Sequence, residues 1–160
     1  WMSIHKENIL IQDEALDRTN PRRVTMDRGC SNVITNMVIN PEEQLSSCCG
    51  LTFENIPEMK IGSLKNHSMK ELFEKQLDDF MKIWIYVEGP EGIIEFAASK
   101  NKNIKIPNNL YHICESCAFM YQNKEIRETI AQHYHEKIED VLFQLTLKQE
   151  PILKSKISNL

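Results

Sequence analysis

The hydrophobic and polar positions of the chain first follow a β-type pattern and then a helical one. Residues 33–39 are rich in β-branched side chains and predict a strand. The next four residues, NPEE at 40–43, have the composition of a turn, because proline presets the backbone at the second turn position. Residues 45–49 predict the returning strand, so this part of the chain is expected to form a β-hairpin.

Further along, apolar residues recur at helical spacing. Ser68, with Glu71 three positions later, is a capping box and predicts the start of a helix. The apolar stripe that follows continues to Val87. Gly89 and Pro90 are expected to break this helix, and Pro90 suits the first turn of a second, short helix.

A polar loop over residues 100–109 separates these helices from a final one. Asn123 is a suitable N-cap for the final helix, and Pro151 is expected to end it. We interpret the apolar stripes as core rather than as a cofactor site, although the long helix before Gly89 also suits docking on a partner domain. The final stripe recurs about every four residues and consists of Ile126, Ile130, Tyr134, Ile138, Leu142 and Leu145.

The length and composition are typical of one folded domain. The chain has 160 residues, of which 41% are hydrophobic and 26% charged. Residues 1–29 show no sustained period and are interpreted as a connecting arm, and residues 151–160 as a frayed C-terminus. Trp1 precedes Met2, which indicates a piece of a longer chain or a residue added before the natural methionine. No apolar run is long enough to cross a bilayer, so a cytoplasmic location and no membrane partner are expected.

The charge pattern disfavours a nucleic-acid partner. The formal net charge is −4, whereas nucleic-acid-binding domains usually carry a basic face. One basic cluster, Arg18, Arg22, Arg23 and Arg28, is diluted by acidic neighbours. We interpret it as a solvated loop, with anion contact as the alternative.

The cysteines carry the candidate chemistry. Cys114 and Cys117 form a CxxC motif just before the final predicted helices, where the helix dipole favours thiolates. Cys30 and Cys48 lie at the outer ends of the predicted hairpin, and antiparallel pairing would bring them together. Two such pairs suit an all-thiolate site for zinc or an iron–sulfur cluster. Cys49 points opposite to Cys48 in a strand, so only one of the two is expected to face a metal.

Other interpretations of these residues stay open. Disulfides, a thioredoxin-like redox pair and unliganded core cysteines are the alternatives for the sulfurs. His112, two residues before the CxxC, is a substitute ligand. His133 and His135 point to different helix faces and are expected on the surface, and His5 and His67 have no partner in the sequence.

At this point the sequence resembles a known family. "VINPEEQLSSC", with a cysteine upstream, is similar to the pattern v-x-P-x-G-x-v-x-x-C of auxiliary-cluster domains in radical S-adenosylmethionine (radical SAM) enzymes. "IGSLKNHSMKELFE" is similar to their lGN-x-x-x-x-sl-x-e-i-w. These are the SPASM domain and its shortened form, the twitch domain. The resemblance runs from Cys30 to about Phe73 and resumes at the CxxC, so it covers around half of the chain.

Two departures from the family pattern are informative. Glu43 stands at the usual turn glycine, which puts the turn type in question. Full SPASM domains carry further cysteines after the CxxC, and none follows Cys117. The chain therefore resembles the single-cluster, twitch-like form over residues 30–150.

The resemblance implies a set of ligands and partners. The ligands of one 4Fe-4S cluster would be Cys30, Cys48, Cys114 and Cys117, with Cys49 a bystander. The cluster would support electron transfer or position a small-molecule or peptide substrate. The partner would be a radical SAM barrel domain in cis or in trans, of which residues 1–29 would be the tail.

The resemblance also limits what this chain does alone. The catalytic C-x-x-x-C-x-x-C motif that binds S-adenosylmethionine does not occur in these residues, so that cofactor would belong to the parent domain. The expected fold is α+β, a β-hairpin followed by three or more α-helices around one four-cysteine site. A structural zinc-binding protein-interaction domain and a metal-free helical binding domain are the alternatives.

Overall fold

The computed structural model describes residues 29–48, 56–108, 110 and 112–157, with side chains described up to residue 148. Residues 1–28 of the predicted arm over 1–29, and also Cys49, lie outside this part. Within it the fold is α+β, as predicted, with a small antiparallel sheet in the order β1-β2-β3. The strands are Val38–Ile39 (β1), Gln44–Ser46 (β2) and Lys60–Ser63 (β3). The helices are Asn32–Thr35 (α1), Met69–Leu77 (α2), Phe80–Lys100 (α3), Ile113–Gln122 (α4), Lys124–His133 (α5) and Ile138–Ile157 (α6), with short 3-10 helices at Pro57–Met59 and Tyr134–Lys137.

The predicted hairpin is confirmed, but it is shorter than expected. Val38 of β1 faces Ser46 of β2, and Ile39 faces Leu45. Both strands lie close to the turn, so the pairing does not reach the outer ends of the predicted hairpin. The strand β3, which the sequence analysis did not predict, pairs with the other edge of β2.

The turn of the hairpin places Glu43 in a conformation that is typical of glycine. Glu43 has a φ of 61°, in the left-handed region that favours glycine. Its N–H donates to the Asn40 carbonyl oxygen over 3.0 Å. The Asn40 side-chain oxygen accepts from the Gln44 N–H over 2.8 Å. The turn therefore keeps the geometry that a glycine would adopt, with glutamate in that place.

The first half of the predicted strand at residues 33–39 is wrong, because residues 32–35 form the short helix α1. The Thr35 hydroxyl donates to the Ser31 carbonyl oxygen over 2.8 Å. The Asn36 amide donates to the Asn32 side-chain oxygen over 2.6 Å. Such local side-chain bonds compete with a strand ladder. Val33 is buried in the core, which fixes this turn of helix against the domain.

The predicted helix start at Ser68 is confirmed, but the long helix is divided. Ser68 and Glu71 exchange both hydrogen bonds of a capping box at the start of α2. The helix ends at Leu77, and Asp79 caps α3 by accepting from the Met81 N–H over 3.0 Å. The sequence analysis missed this division because the apolar period continues across it.

The predicted break at Gly89 and Pro90 is confirmed as a kink inside α3. Gly89 has φ 74° and ψ 167°, which no helical residue adopts. Pro90 has no N–H to donate to the preceding turn. The helical hydrogen-bond ladder is therefore interrupted, and carbonyl oxygens ahead of the kink accept from other parts of the chain.

The helix α3 is the centre of the core. It packs against α1, α2, α4, α5 and α6. Trp84 is fully buried and its ring lies 5.6 Å from that of Phe80 and 5.3 Å from that of Phe96, centroid to centroid. The apolar stripe of this helix is therefore core, as predicted.

The final predicted helix is two helices, α5 and α6, joined by a 3-10 turn. Asn123 caps α5 as predicted, accepting from the Ile126 N–H over 3.0 Å. The 3-10 turn changes the helical period, so Leu142 of the predicted stripe is 42% exposed. The predicted end at Pro151 is wrong, since α6 continues to Ile157. A proline removes one donor and bends a helix without necessarily ending it.

Among the described residues, no helix combines the length and apolarity that a bilayer crossing needs.

Candidate metal or cluster centre

The four cysteines singled out by the sequence analysis line one cavity. The cavity is small, about 20 Å³ in volume. Its remaining walls are apolar or thioether side chains, so the four sulfurs face a water-poor space. The sulfurs belong to Cys30, Cys48, Cys114 and Cys117, and the other walls to Val33, Ile56, Met59, Ile85, Pro90 and Ile113.

Two of the cysteines lie on α4, inside the helix rather than before it as expected. Cys114 is in the first turn of α4, and Cys117 is three positions later, so both project from one face. The N-cap is His112, whose Nδ1 accepts from the Cys114 N–H over 3.1 Å. The Glu115 carboxylate accepts from the His112 N–H over 3.0 Å, which completes a capping box. The predicted substitute ligand His112 therefore uses Nδ1 to start the helix.

Cys30 is brought to the cavity by the kink in α3, and not by the hairpin. Its N–H donates to the Ile85 carbonyl oxygen over 2.9 Å, four residues before Gly89. A Cβ at Gly29 would lie 2.3 Å from the Tyr86 carbonyl oxygen, so only glycine fits beside the helix there. The expected pairing of Cys30 with Cys48 across the hairpin is wrong, because the strands are too short and α1 intervenes.

Cys48 follows β2 and is placed by its neighbour. The Ser47 N–H donates to the Met59 carbonyl oxygen over 2.9 Å, and the Ser47 hydroxyl donates to the same oxygen over 3.2 Å. Ser47 is fully buried, which anchors this end of the strand. Because Cys49 lies outside the described residues, the choice of Cys48 over Cys49 stays a prediction.

The electrostatics of the cavity disfavour an isolated thiolate. Burial raises the pKa of the Cys117 thiol far above its ordinary value, and its neighbours Cys48, Cys30 and Cys114 raise it further. The helix dipole of α4 acts in the opposite direction, but desolvation is the larger effect here. All four cysteines carry thiols rather than disulfides. A metal or cluster that binds sulfur would supply the positive charge that thiolates need in this space.

The sulfurs surround the cavity without converging on one point. Within the described ranges, no three Cys, His, Asp or Glu side chains approach closely enough to hold a single metal ion. The four cysteines line one cavity, which is a weaker relation than lying within ligand distance of one ion.

The histidines outside the cavity have surface roles. His133 Nδ1 lies 2.8 Å from a Glu136 carboxylate oxygen, and the His135 ring packs edge-on against Tyr134. The two rings therefore have separate partners. His67 is exposed, and His5 lies outside the described residues.

Sequence reasoning missed the backbone groups that position the cavity. The carbonyl of Ile85 accepts from Cys30, which is a member of the site. The carbonyl of Met59 accepts from Ser47, which is the neighbour of Cys48. The one sequence signal for the role of the Ile85 carbonyl was the Gly89-Pro90 pair, which indicates an interrupted helix.

No protein-family model, curated protein or solved structure matches this chain.

Proposed function

We propose that Cys30, Cys48, Cys114 and Cys117 hold one 4Fe-4S cluster, and that the chain is a twitch-like auxiliary domain of a radical SAM enzyme. The observation that supports this proposal is the common cavity of four cysteines from three separate parts of the chain. The strand pairing of the sheet does not by itself bring these four cysteines together. The order of strand, turn, cysteine, helix and CxxC in the sequence supports the same family.

The donor set fits such a cluster chemically. Four soft thiol ligands select iron–sulfur clusters or zinc over hard cations. The apolar wall, including Ile85 and Ile113, limits water at the site and thereby influences the reduction potential of a bound cluster.

A cluster and a single ion place different demands on the four sulfurs. A zinc ion needs four sulfurs at about 2.3 Å from one centre. A 4Fe-4S cluster places its four irons at separate corners, and each takes one thiolate, so the ligands surround a volume. The four cysteines line one cavity, which is compatible with ligands placed around a volume.

The cluster would supply a one-electron redox centre when bound. The residues of this chain would bind it, exclude water from it and fix its position relative to a partner. That partner would be a radical SAM barrel domain, in cis or in trans, which would bind S-adenosylmethionine and act on a small molecule or a peptide. We propose a cytoplasmic setting, where thiols stay reduced.

Anaerobic reconstitution of the full chain with iron and sulfide tests the proposal. We expect a brown protein with about four irons and four sulfides per chain. The Cys114→Ser, Cys117→Ser double variant should lose this loading. A colourless protein that keeps its fold and binds no iron after reconstitution would contradict the proposal.

A structural zinc site is the second candidate, favoured by the small size of the cavity. Structural zinc sites are closed and saturated by four protein ligands. Expression under anaerobic, iron-rich conditions separates the two. Stoichiometric zinc that persists there, with no iron bound, would favour the structural zinc domain.

A further inference from the structure

A second cavity lies beside the start of α3 and is far larger than the cysteine cavity. Its volume is about 320 Å³, which is within the usual range for small-molecule sites. Its walls come from α3, α4, α5 and the two 3-10 helices. Most of the wall is aromatic or thioether, contributed by Phe80, Met81, Met120, Tyr121 and Tyr134.

The charged residues around this cavity are of both signs. Two carboxylates, Glu58 and Asp79, face one guanidinium, Arg127. Asp79 already accepts from the Lys82 ammonium over 2.6 Å and from the Met81 N–H. Because Lys82 neutralises Asp79, the charged groups left to a ligand are Glu58 and Arg127, and within the described part of the chain neither forms a salt bridge.

The aromatic rings form a concave surface next to these carboxylates. The Phe80 and Tyr134 ring centroids lie 6.1 Å apart, and Trp84 supports Phe80 from the core side.

We propose that this cavity binds a small organic ammonium compound with an apolar body. The ring faces of Phe80, Tyr121 and Tyr134 attract a cation through their quadrupoles. The Glu58 carboxylate supplies the ion pair, and the thioether and aliphatic walls cover the apolar body. Arg127 carries the opposite charge and limits where the ammonium group can lie.

This site is separate from the cysteine cavity, and its occupancy does not depend on a bound cluster. Tyr121 follows Cys117 by one helical turn on α4, so the two cavities share a helix. No residue lines both cavities. A failure to bind iron would therefore leave this proposal standing, and a failure to bind amines would leave the cluster proposal standing.

Three probes that share the same apolar group and differ in charge test the charge preference of the cavity. Calorimetric titration of the full chain, as purified, would use 3-phenylpropylamine, 3-phenylpropan-1-ol and 3-phenylpropionate. We expect the amine to bind about tenfold more tightly than the alcohol, and the acid to bind most weakly.

Matched variants then assign the effect to the cavity. Glu58→Gln should weaken the amine several-fold and leave the alcohol unchanged, whereas Glu128→Gln removes a carboxylate outside the cavity and should change neither. Ala131→Phe adds a ring at an exposed position of the wall and should abolish binding of all three probes.

Two results would overturn the proposal. One is preferential binding of the acid that is lost in Arg127→Gln, which would reverse the assigned charge. The other is no binding of any probe by a chain whose thermal unfolding shows an intact fold.

Discussion

The backbone N–H of Cys30 donates to the carbonyl oxygen of Ile85 over 2.9 Å, in the last turn of α3 before its kink. The kink at Gly89 makes this possible because it interrupts the helical ladder just beyond. A second carbonyl in the same turn, that of Val87, accepts from the Lys148 ammonium over 3.1 Å. The break in the helix is therefore a docking point for two distant parts of the chain, one of which carries a cysteine of the candidate site.

Gly89→Ala tests this relationship. The φ of 74° is strained for alanine, and a Cβ there would lie 3.3 Å from the Gly29 backbone nitrogen. We expect a loss of about 2 kcal/mol in the free energy of unfolding, together with weaker iron loading. Gly92→Ala is the control, because its Cβ would also meet a close neighbour, the Glu88 Cβ at 3.1 Å, but its backbone is helical. It should therefore cost less, as measured by urea denaturation. Equal effects of the two changes would show that the kink does not need glycine.

The hairpin turn predicts a stabilising change. Because Glu43 has a φ of 61°, Glu43→Gly relieves the strain of a left-handed residue. We expect a gain of roughly 0.5–1 kcal/mol, after the larger entropy of glycine in the unfolded chain is subtracted. The neighbouring Glu42→Gly lacks this benefit and should destabilise. The urea midpoints of the two variants measure this difference. A loss of stability in Glu43→Gly would contradict the predicted gain.

Gln76 predicts a second stabilising change. Its side chain is buried, and both amide atoms have no hydrogen-bond partner among the residues that the structure describes. Gln76→Leu removes this unsatisfied polar group, so we expect the free energy of unfolding to rise by about 1 kcal/mol. Gln122→Leu, at an exposed position, should have little effect in the same denaturation experiment. A clear destabilisation by Gln76→Leu would indicate a buried partner for the amide.

The capping box of α2 predicts a pH dependence. Backbone and side-chain hydrogen bonds from Ser68 lower the pKa of Glu71 below its usual 4.5. A carboxylate with a lowered folded-state pKa contributes stability above its unfolded pKa and loses it as the pH falls through the folded one. Glu71→Gln should therefore flatten the fall in stability below about pH 5. In a Ser68→Ala background, Glu71→Gln should flatten the fall in stability less. An unchanged slope in Glu71→Gln would exclude this contribution.

The doubled cysteine predicts a difference between neighbours. We expect Cys48→Ser to lose the bound metal or cluster and Cys49→Ser to keep it, because Cys48 lines the cavity of the other three sulfurs. Iron and sulfide analysis after anaerobic reconstitution measures this directly. The fold should weaken together with the loading, since binding energy at such a site is folding energy. The reverse result would mean that the assignment is shifted by one residue.

Part of the fold was predictable because its signals are local. The capping box at Ser68, the cap at Asn123 and the break at Gly89 each depend on residues within a few positions. The helix break before Asp79 and the strand β3 were missed, because an apolar period does not show where a chain turns and a four-residue strand has too little pattern to detect.

The sequence by itself determined the α+β class, the hairpin turn, the starts of α2 and α5 and the choice of cysteines as candidate ligands. Only the tertiary structure decided how those cysteines meet. Cys30 reaches the cavity through the carbonyl of a kinked helix, and Cys48 through the buried Ser47. Both contacts join residues that are distant in sequence through backbone groups. Because every residue carries these groups, such pairings cannot be recognised from the amino-acid sequence.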